Sequence, residues 1–261
     1  MCLILIAYRL TPGQPLVVAA NRDEFHARPS APAHWWDDAP GLLAGRDLQA
    51  GGTWLGVRAN GRFAAVTNFT DPDLPPPPRS RGALVADFLR GAQTSTDYAA
   101  SIQGERYQGF NLLLWDGRTL ACASNRGATK TLEPGCHALT NAELGARWPK
   151  AVDGVIRLRD AVAAGADLDG LIDLMRHDQL PEGDAGPPRS ETAESRATPC
   201  FIRGDAYGTR ASTAVIQAED GSVALAEQSY GPQGALGERR DFRIASDLRN
   251  QKPIGTRPTQ R

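Results

Sequence analysis

An α+β fold is predicted for this chain, with antiparallel strands at its centre and helices packed outside. Four pairs of short apolar runs are separated by tight-turn sequences, and three helical patterns lie between those pairs. Hairpins make antiparallel sheet, because parallel neighbours need a long crossover. At 261 residues and 41% hydrophobic content, the chain is long enough to bury a sizeable core.

The elements follow in order. Cys2–Tyr8 and Leu16–Ala20 flank Thr11-Pro12-Gly13-Gln14 and read as a first hairpin. Thr53–Ala59 and Arg62–Phe69 flank Asn60-Gly61, the dipeptide that most readily supplies the positive φ angles of a tight hairpin turn. Phe110–Trp115 and Thr119–Ala123 flank Asp116-Gly117, and Thr213–Gln217 and Val223–Gln228 turn at Glu219-Asp220-Gly221. Helix is predicted over Ala83–Leu89, where Leu84, Val85, Phe88 and Leu89 share a face. Two more helices are predicted over Ala151–Ala164 and Leu168–Met175. Asp71–Arg79 holds four consecutive prolines and reads as an extended loop. The Gly-, Pro-, Ser- and Glu-rich stretch near 181–198 reads as a mobile loop. Residues 1–247 thus read as one domain, and 248–261 as a polar tail.

Lys+Arg 29 against Asp+Glu 30 leaves a net charge of −1, which is no footprint for nucleic acid. No apolar run approaches the roughly 18 residues that cross a bilayer, and the short N-terminal run reads as a buried strand, not a signal peptide. The four cysteines (Cys2, Cys122, Cys136, Cys200) form no close pair, as expected of free thiols in the cytoplasm. A small-molecule ligand or substrate is the expected partner. The chain has no Walker-type phosphate loop and no Gly-x-Ser-x-Gly elbow. His26, His34, His137 and His177 lack metal-ligand spacing, so no metal or cofactor is expected. Asp37-Asp38, beside Trp35-Trp36, reads as a solvated loop.

Cys2 is the residue with chemistry to offer. Removal of Met1 would leave it with a free α-amine, which titrates near roughly 7.7–8.0 and so can serve as a base beside its own thiol. The plainer alternative is a small core side chain opening a strand.

Asn21-Arg22-Asp23-Glu24 closes the second apolar run. With it come, in order, Gly51-Gly52-Thr53-Trp54-Leu55-Gly56, Val66-Thr67-Asn68-Phe69 and Gly109-Phe110-Asn111-Leu112. Leu139-Thr140-Asn141, Trp148-Pro149-Lys150 and Tyr207-Gly208-Thr209-Arg210-Ala211-Ser212-Thr213 complete the series. On these motifs the chain resembles the NRDE family of transport and Golgi organisation protein two-like proteins. That family is similar to N-terminal-nucleophile hydrolases of the penicillin V acylase and bile-salt hydrolase type. The resemblance implies a four-layer αββα sandwich and a mature N-terminal cysteine that attacks an amide carbonyl.

Carried residue by residue, the resemblance implies Cys2 as nucleophile and Asp23 as the carboxylate that holds its amine. It implies Asn141 as an oxyanion donor, Asn68 as a further one, and Arg210 as the late arginine near the thiol. Whether Arg22 or Arg210 faces the sulfur stays open, as does a structural ion pair between Arg22 and Asp23. Two functions follow from the resemblance. One is hydrolysis of a small, non-peptide N-acyl bond. The other is non-catalytic binding or trafficking of an amphipathic molecule such as haem or an acyl lipid, because the eukaryotic relative is linked to haem mobilisation and lipid homeostasis.

Overall fold

Hydrophobic alternation along the strands builds two sheets that share one buried seam. The computed structural model describes residues 2–69, 79–179 and 198–246. The proline run at 75–78, nearly all of the loop near 181–198 and the polar tail lie outside the described residues. Thirteen strands occur among the described residues. They are β1 (Leu3–Thr11), β2 (Gln14–Phe25), β3 (Ser30–Trp35), β4 (Leu42–Asp47), β5 (Leu55–Arg58), β6 (Phe63–Asn68), β7 (Phe110–Trp115), β8 (Leu120–Ser124), β9 (Lys130–Thr131), β10 (Gly135–Leu139), β11 (Tyr207–Gln217), β12 (Val223–Tyr230) and β13 (Leu236–Ile244). The α-helices are α1 (Arg81–Arg90), α2 (Ser95–Ser101), α3 (Pro149–Ala163) and α4 (Leu168–Met175).

One sheet runs β10-β1-β2-β11-β12-β13 and the other β3-β4-β5-β6-β7-β8-β9. Every paired neighbour is antiparallel, as the four hairpins predict. Side chains alternate faces along each strand. On β1, Ile4, Ile6 and Tyr8 enter the seam between the sheets with Leu16, Val18, Phe63, Leu113 and Trp115. Leu3, Leu5 and Ala7 face the other way, against Leu158 and Val162 of α3 and Leu171, Ile172 and Met175 of α4. The second sheet covers its outer face with Leu84, Val85, Phe88 and Leu89 of α1. The layers are therefore helix, sheet, sheet, helix. Each fully buried Leu, Ile or Phe contributes about 1.5–3 kcal/mol, so the three clusters dominate stability.

Local chemistry agrees with this arrangement. Gly61 takes φ 83° in the Asn60-Gly61 turn, the left-handed conformation such a hairpin requires. Ser80 and Asp167 cap α1 and α4 through their side chains, and Pro149 opens α3. Gly52 lies so close to the start of α1 that a Cβ there would meet Gly82 backbone at 2.5 Å. This contact fixes the first turn of α1 to the second sheet.

Two strands run further than the apolar pattern predicts. The second strand continues through Asn21-Arg22-Asp23-Glu24, and β11 begins at Tyr207, six residues before Thr213. Arg210 consequently sits inside β11, at the register break between Thr209 and Ala211. Asp37 and Asp38 lie in an exposed turn, but Trp36 is buried and donates its indole N–H to Ala44. No helix among the described residues is long and apolar enough to cross a membrane.

Candidate functional site

The ends of β1, β2, β6, β10 and β11 converge where polar groups replace the apolar seam. The register Leu3↔Asn21 and Ile4↔Leu139 places Cys2, just before β1, between Arg22 and Asn141. The Cys2 backbone nitrogen donates to Asn141 Oδ1 at 2.9 Å, in the buried interior. The Asn141 amide in turn donates through Nδ2 to the Asn68 carbonyl at 2.9 Å. One asparagine thus ties the head of β1 to β6 across the seam. The following layer repeats the link, since Thr67 donates its hydroxyl to the Thr140 carbonyl at 2.6 Å.

Alternation along β2 sends its polar residues to two different faces. Asn21 points to the helical layer, donating to the carbonyls of Met175 and Cys200 and accepting from Ser212. Asp23 shares that face. Its Oδ1 accepts the Thr209 hydroxyl at 2.7 Å, and the same hydroxyl oxygen accepts the Ile202 N–H. Arg22 faces the seam, where among the described residues it pairs with Glu24 at 3.8 Å. The predicted alternative of an Arg22–Asp23 pair is therefore replaced by Arg22–Glu24, because neighbouring residues on a strand diverge.

Electrostatics follow from burial. Desolvation pushes the Cys2 thiol up; Asp23's charge adds to this, while the Asp23 backbone N–H directed at the sulfur and the Arg22 charge pull it down. Burial also raises Asp23, against the opposing pull of Lys150, Thr209 and Arg22. Lys150 is 1% exposed in the first turn of α3, with Nζ donating to the Thr198 hydroxyl at 3.0 Å. Arg81, at the start of α1, lies within electrostatic reach of Cys2; burial lowers its own affinity for protons.

Of the residues singled out in the sequence, Cys2, Arg22, Asp23 and Asn141 come together. Asn68 takes part through its backbone carbonyl, with an exposed side chain. Arg210 Nη1 donates to the carbonyls of Phe25 and Arg28 at 3.1 and 2.6 Å. Lys150, Arg81 and Thr209 were missed as site residues. Two of them carried a signal. Lys150 and Arg81 are cations in the first turn of a helix, where the dipole disfavours positive charge, and such a local conflict marks a position held for another reason. Among the described residues no group of His, Cys, Asp and Glu is arranged to hold a metal ion.

The profile of the family described as "Transport and Golgi organisation 2" matches residues 1–232. The chain belongs to this family. The human "Transport and Golgi organization protein 2 homolog" is 34% identical over 256 residues, covering 88% of this chain and 93% of the relative. The Drosophila melanogaster "Transport and Golgi organization protein 2" matches 36% over 101 residues, covering 35% of this chain and 36% of the relative.

Among solved structures, a C2A mutant of conjugated bile acid hydrolase from Clostridium perfringens superposes with a TM-score of 0.53 at 10% identity. That match covers 100% of this chain and 97% of the other. The Caenorhabditis elegans orthologue of N-acylethanolamine-hydrolyzing acid amidase superposes at 0.50 with 9% identity, covering 83% and 92%. At such identities the likeness is one of fold. The chain shares the α+β fold of these N-terminal-nucleophile hydrolases.

Proposed function

We propose that this protein is an N-terminal-cysteine amidohydrolase acting on a small, non-peptide N-acyl bond. The observation that carries the reading is the 2.9 Å hydrogen bond from the Cys2 backbone nitrogen to Asn141 Oδ1, beside the Asp23 main chain. While Met1 is attached, that nitrogen is an amide without basicity, and burial holds the thiol protonated. Once Met1 is removed, the same position carries an amine already oriented by Asn141.

The amine then takes the thiol proton as sulfur attacks the carbonyl. The tetrahedral adduct collapses when that proton passes to the departing nitrogen, leaving a thioester on Cys2. Water, deprotonated by the same amine, releases the acid. Asn141 Nδ2 uses one N–H on Asn68 and has a second for the oxyanion, a contribution typically worth about 3 kcal/mol of barrier. Arg22 supplies positive charge near the sulfur. Asp23, held by Thr209 and balanced by Lys150, orients the amine. All four cysteines are free thiols, which supports a reducing compartment such as the cytoplasm.

The second reading is binding or trafficking of an amphipathic molecule, favoured by the family's name and by the buried, protonated thiol of the Met1-bearing form. One experiment separates the two. Intact-mass spectrometry of the purified protein, before and after a panel of N-acyl amines, should show loss of Met1 and a transient acyl adduct that disappears in Cys2→Ala. Retained Met1, or an adduct that persists in Cys2→Ala, would overturn the hydrolase reading in favour of binding.

A further inference from the structure

Each sheet has two edge strands, and three of the four are protected against further pairing. At the far edge of the first sheet, β13 carries Glu238, Arg239, Arg240, Asp241 and Arg243. In the second sheet, β3 holds Pro32 at a register break, and side chains already occupy the backbone of Ala33. Its N–H donates to Glu227 at 2.6 Å, and its carbonyl accepts from Arg240 at 3.0 Å. β9 is two residues long and includes Lys130. Charge, proline, bulges and short length are the devices that keep an edge strand from pairing with another chain. β10 has none of them. Gly135-Cys136-His137-Ala138-Leu139 contains no Pro, Lys, Arg, Asp or Glu and pairs with β1 along its whole length without a register break. On its open side it makes no backbone hydrogen bond among the described residues.

Apolar side chains stand beside this open edge. Val152 and Ile156, one turn apart on α3, are 38% and 45% exposed. They border a groove of about 400 Å³ between α3 and β10, whose walls include Ala138, Leu144, Ala146 and Val155. Charge follows at both ends of this stripe. Glu143 and Arg147 lie exposed before α3, and Arg159 and Asp160 lie exposed one turn beyond Ile156. None of these four makes an ion pair among the described residues.

We infer that this edge is the contact between two copies of the chain, with β10 pairing antiparallel to the second copy's β10 about a two-fold axis near His137. Spacing favours a second copy over an isolated peptide. Helix α3 packs over both β1 and β10. Paired strands lie about 4.8 Å apart, so a helix midway over β1 and β10 stands about 4.8 Å from an axis just beyond β10. The two-fold therefore sets the two α3 axes about 9–10 Å apart, in the range of roughly 8–10 Å at which helices pack. Val152 and Ile156 of each copy then meet across the axis and leave water. The same rotation turns one helix end for end against the other. Glu143 comes to the second copy's Arg159, and Arg147 to its Asp160, so that opposite charges flank an apolar centre on both sides. Such a patch is complementary to itself, which a two-fold interface requires.

The test uses the full chain and reads its mass in solution by sedimentation equilibrium over a range of about 1–100 μM. The wild type should sediment as a dimer. Ile156→Glu, at an exposed position, should stay folded by circular dichroism and sediment as a monomer. Arg159→Glu should weaken the dimer about tenfold by setting like charges together, and adding Glu143→Arg should restore the affinity. Register is read by cross-linking. Pairing about His137 places Cys136 diagonal to the second copy's Cys136, with Cα atoms about 7–8 Å apart, so a short bis-maleimide should join two copies and fail in Cys136→Ser. A monomer at every concentration, a dimer indifferent to Ile156→Glu, no recovery in the charge-reversed pair, or a dimer that does not cross-link through Cys136 would each overturn the proposal.

Discussion

Replacing Lys150 by methionine removes a fully buried cation while nearly preserving side-chain volume, and its effect on stability should depend on pH. Two contributions are lost. The hydrogen bond from Nζ to Thr198, one with a charged partner, is worth about 1.5–3 kcal/mol. The attraction between Lys150 and Asp23, which favours the charged carboxylate, is lost with it. Burial already raises Asp23, so folding favours its protonated form. Its contribution to stability is therefore greatest below the ordinary carboxylate range and is lost as pH climbs through the raised value. Without Lys150 that value climbs further. Urea unfolding should give a larger deficit at pH 8 than in acid, contracting toward the loss of the Thr198 hydrogen bond alone as pH falls through the raised Asp23 value. Adding Asp23→Asn to Lys150→Met should recover part of the loss at pH 8. A deficit of the same size at both pH values, or no recovery in the double variant, would refute the coupling of Lys150 to Asp23.

Other outcomes are as specific. Arg22→Met should shift the pH midpoint of Cys2 alkylation upward, because Arg22 pulls the thiol down; the check is labelling rate against pH. Arg210→Met should leave that midpoint in place and instead cost about 2 kcal/mol of stability, read by thermal melting, through loss of its bonds to the Phe25 and Arg28 carbonyls. Gly52→Ala should destabilise by about 1–3 kcal/mol in the same assay, since its Cβ would collide with the backbone at the start of α1. Cys122 and Cys200, both pushed up to about 12 by burial, should resist iodoacetamide in the folded protein, and peptide mapping should find them unmodified.

What the sequence disclosed reflects where its patterns are strong. Hairpins with Asn60-Gly61 or Asp116-Gly117 between apolar runs were readable, because both turn chemistry and strand alternation point to one answer. β13 was not, because Leu236–Ile244 is an edge strand rich in Arg, Glu and Asp, the composition that protects an edge and masks the strand. β3 carries a proline at its own sheet edge, and β9 spans only two residues, too few for any periodicity. α2 is seven residues long and owes its start to the Thr94 cap, with little apolar face to detect. At the site, Cys2 with Asp23 was legible through the Asn21-Arg22-Asp23-Glu24 motif. Arg210 was not placed correctly within its strand, since the register break that bulges β11 there leaves no mark in the apolar pattern. Lys150 carries no readable role in the sequence, because the charge that opposes it comes from Asp23, more than a hundred residues earlier.

The central claim is that the α-amine of Cys2 is the base that activates its thiol. Its most direct test compares Cys2 alkylation in protein with Met1 removed and in protein expressed with the aminopeptidase inhibited, using half-exposed Cys136 as the internal reference. Removal of Met1 should raise the Cys2 rate relative to Cys136 by about tenfold or more near pH 8, with a midpoint tracking an amine near roughly 7.7–8.0. Identical relative rates and pH profiles in the two forms would contradict it.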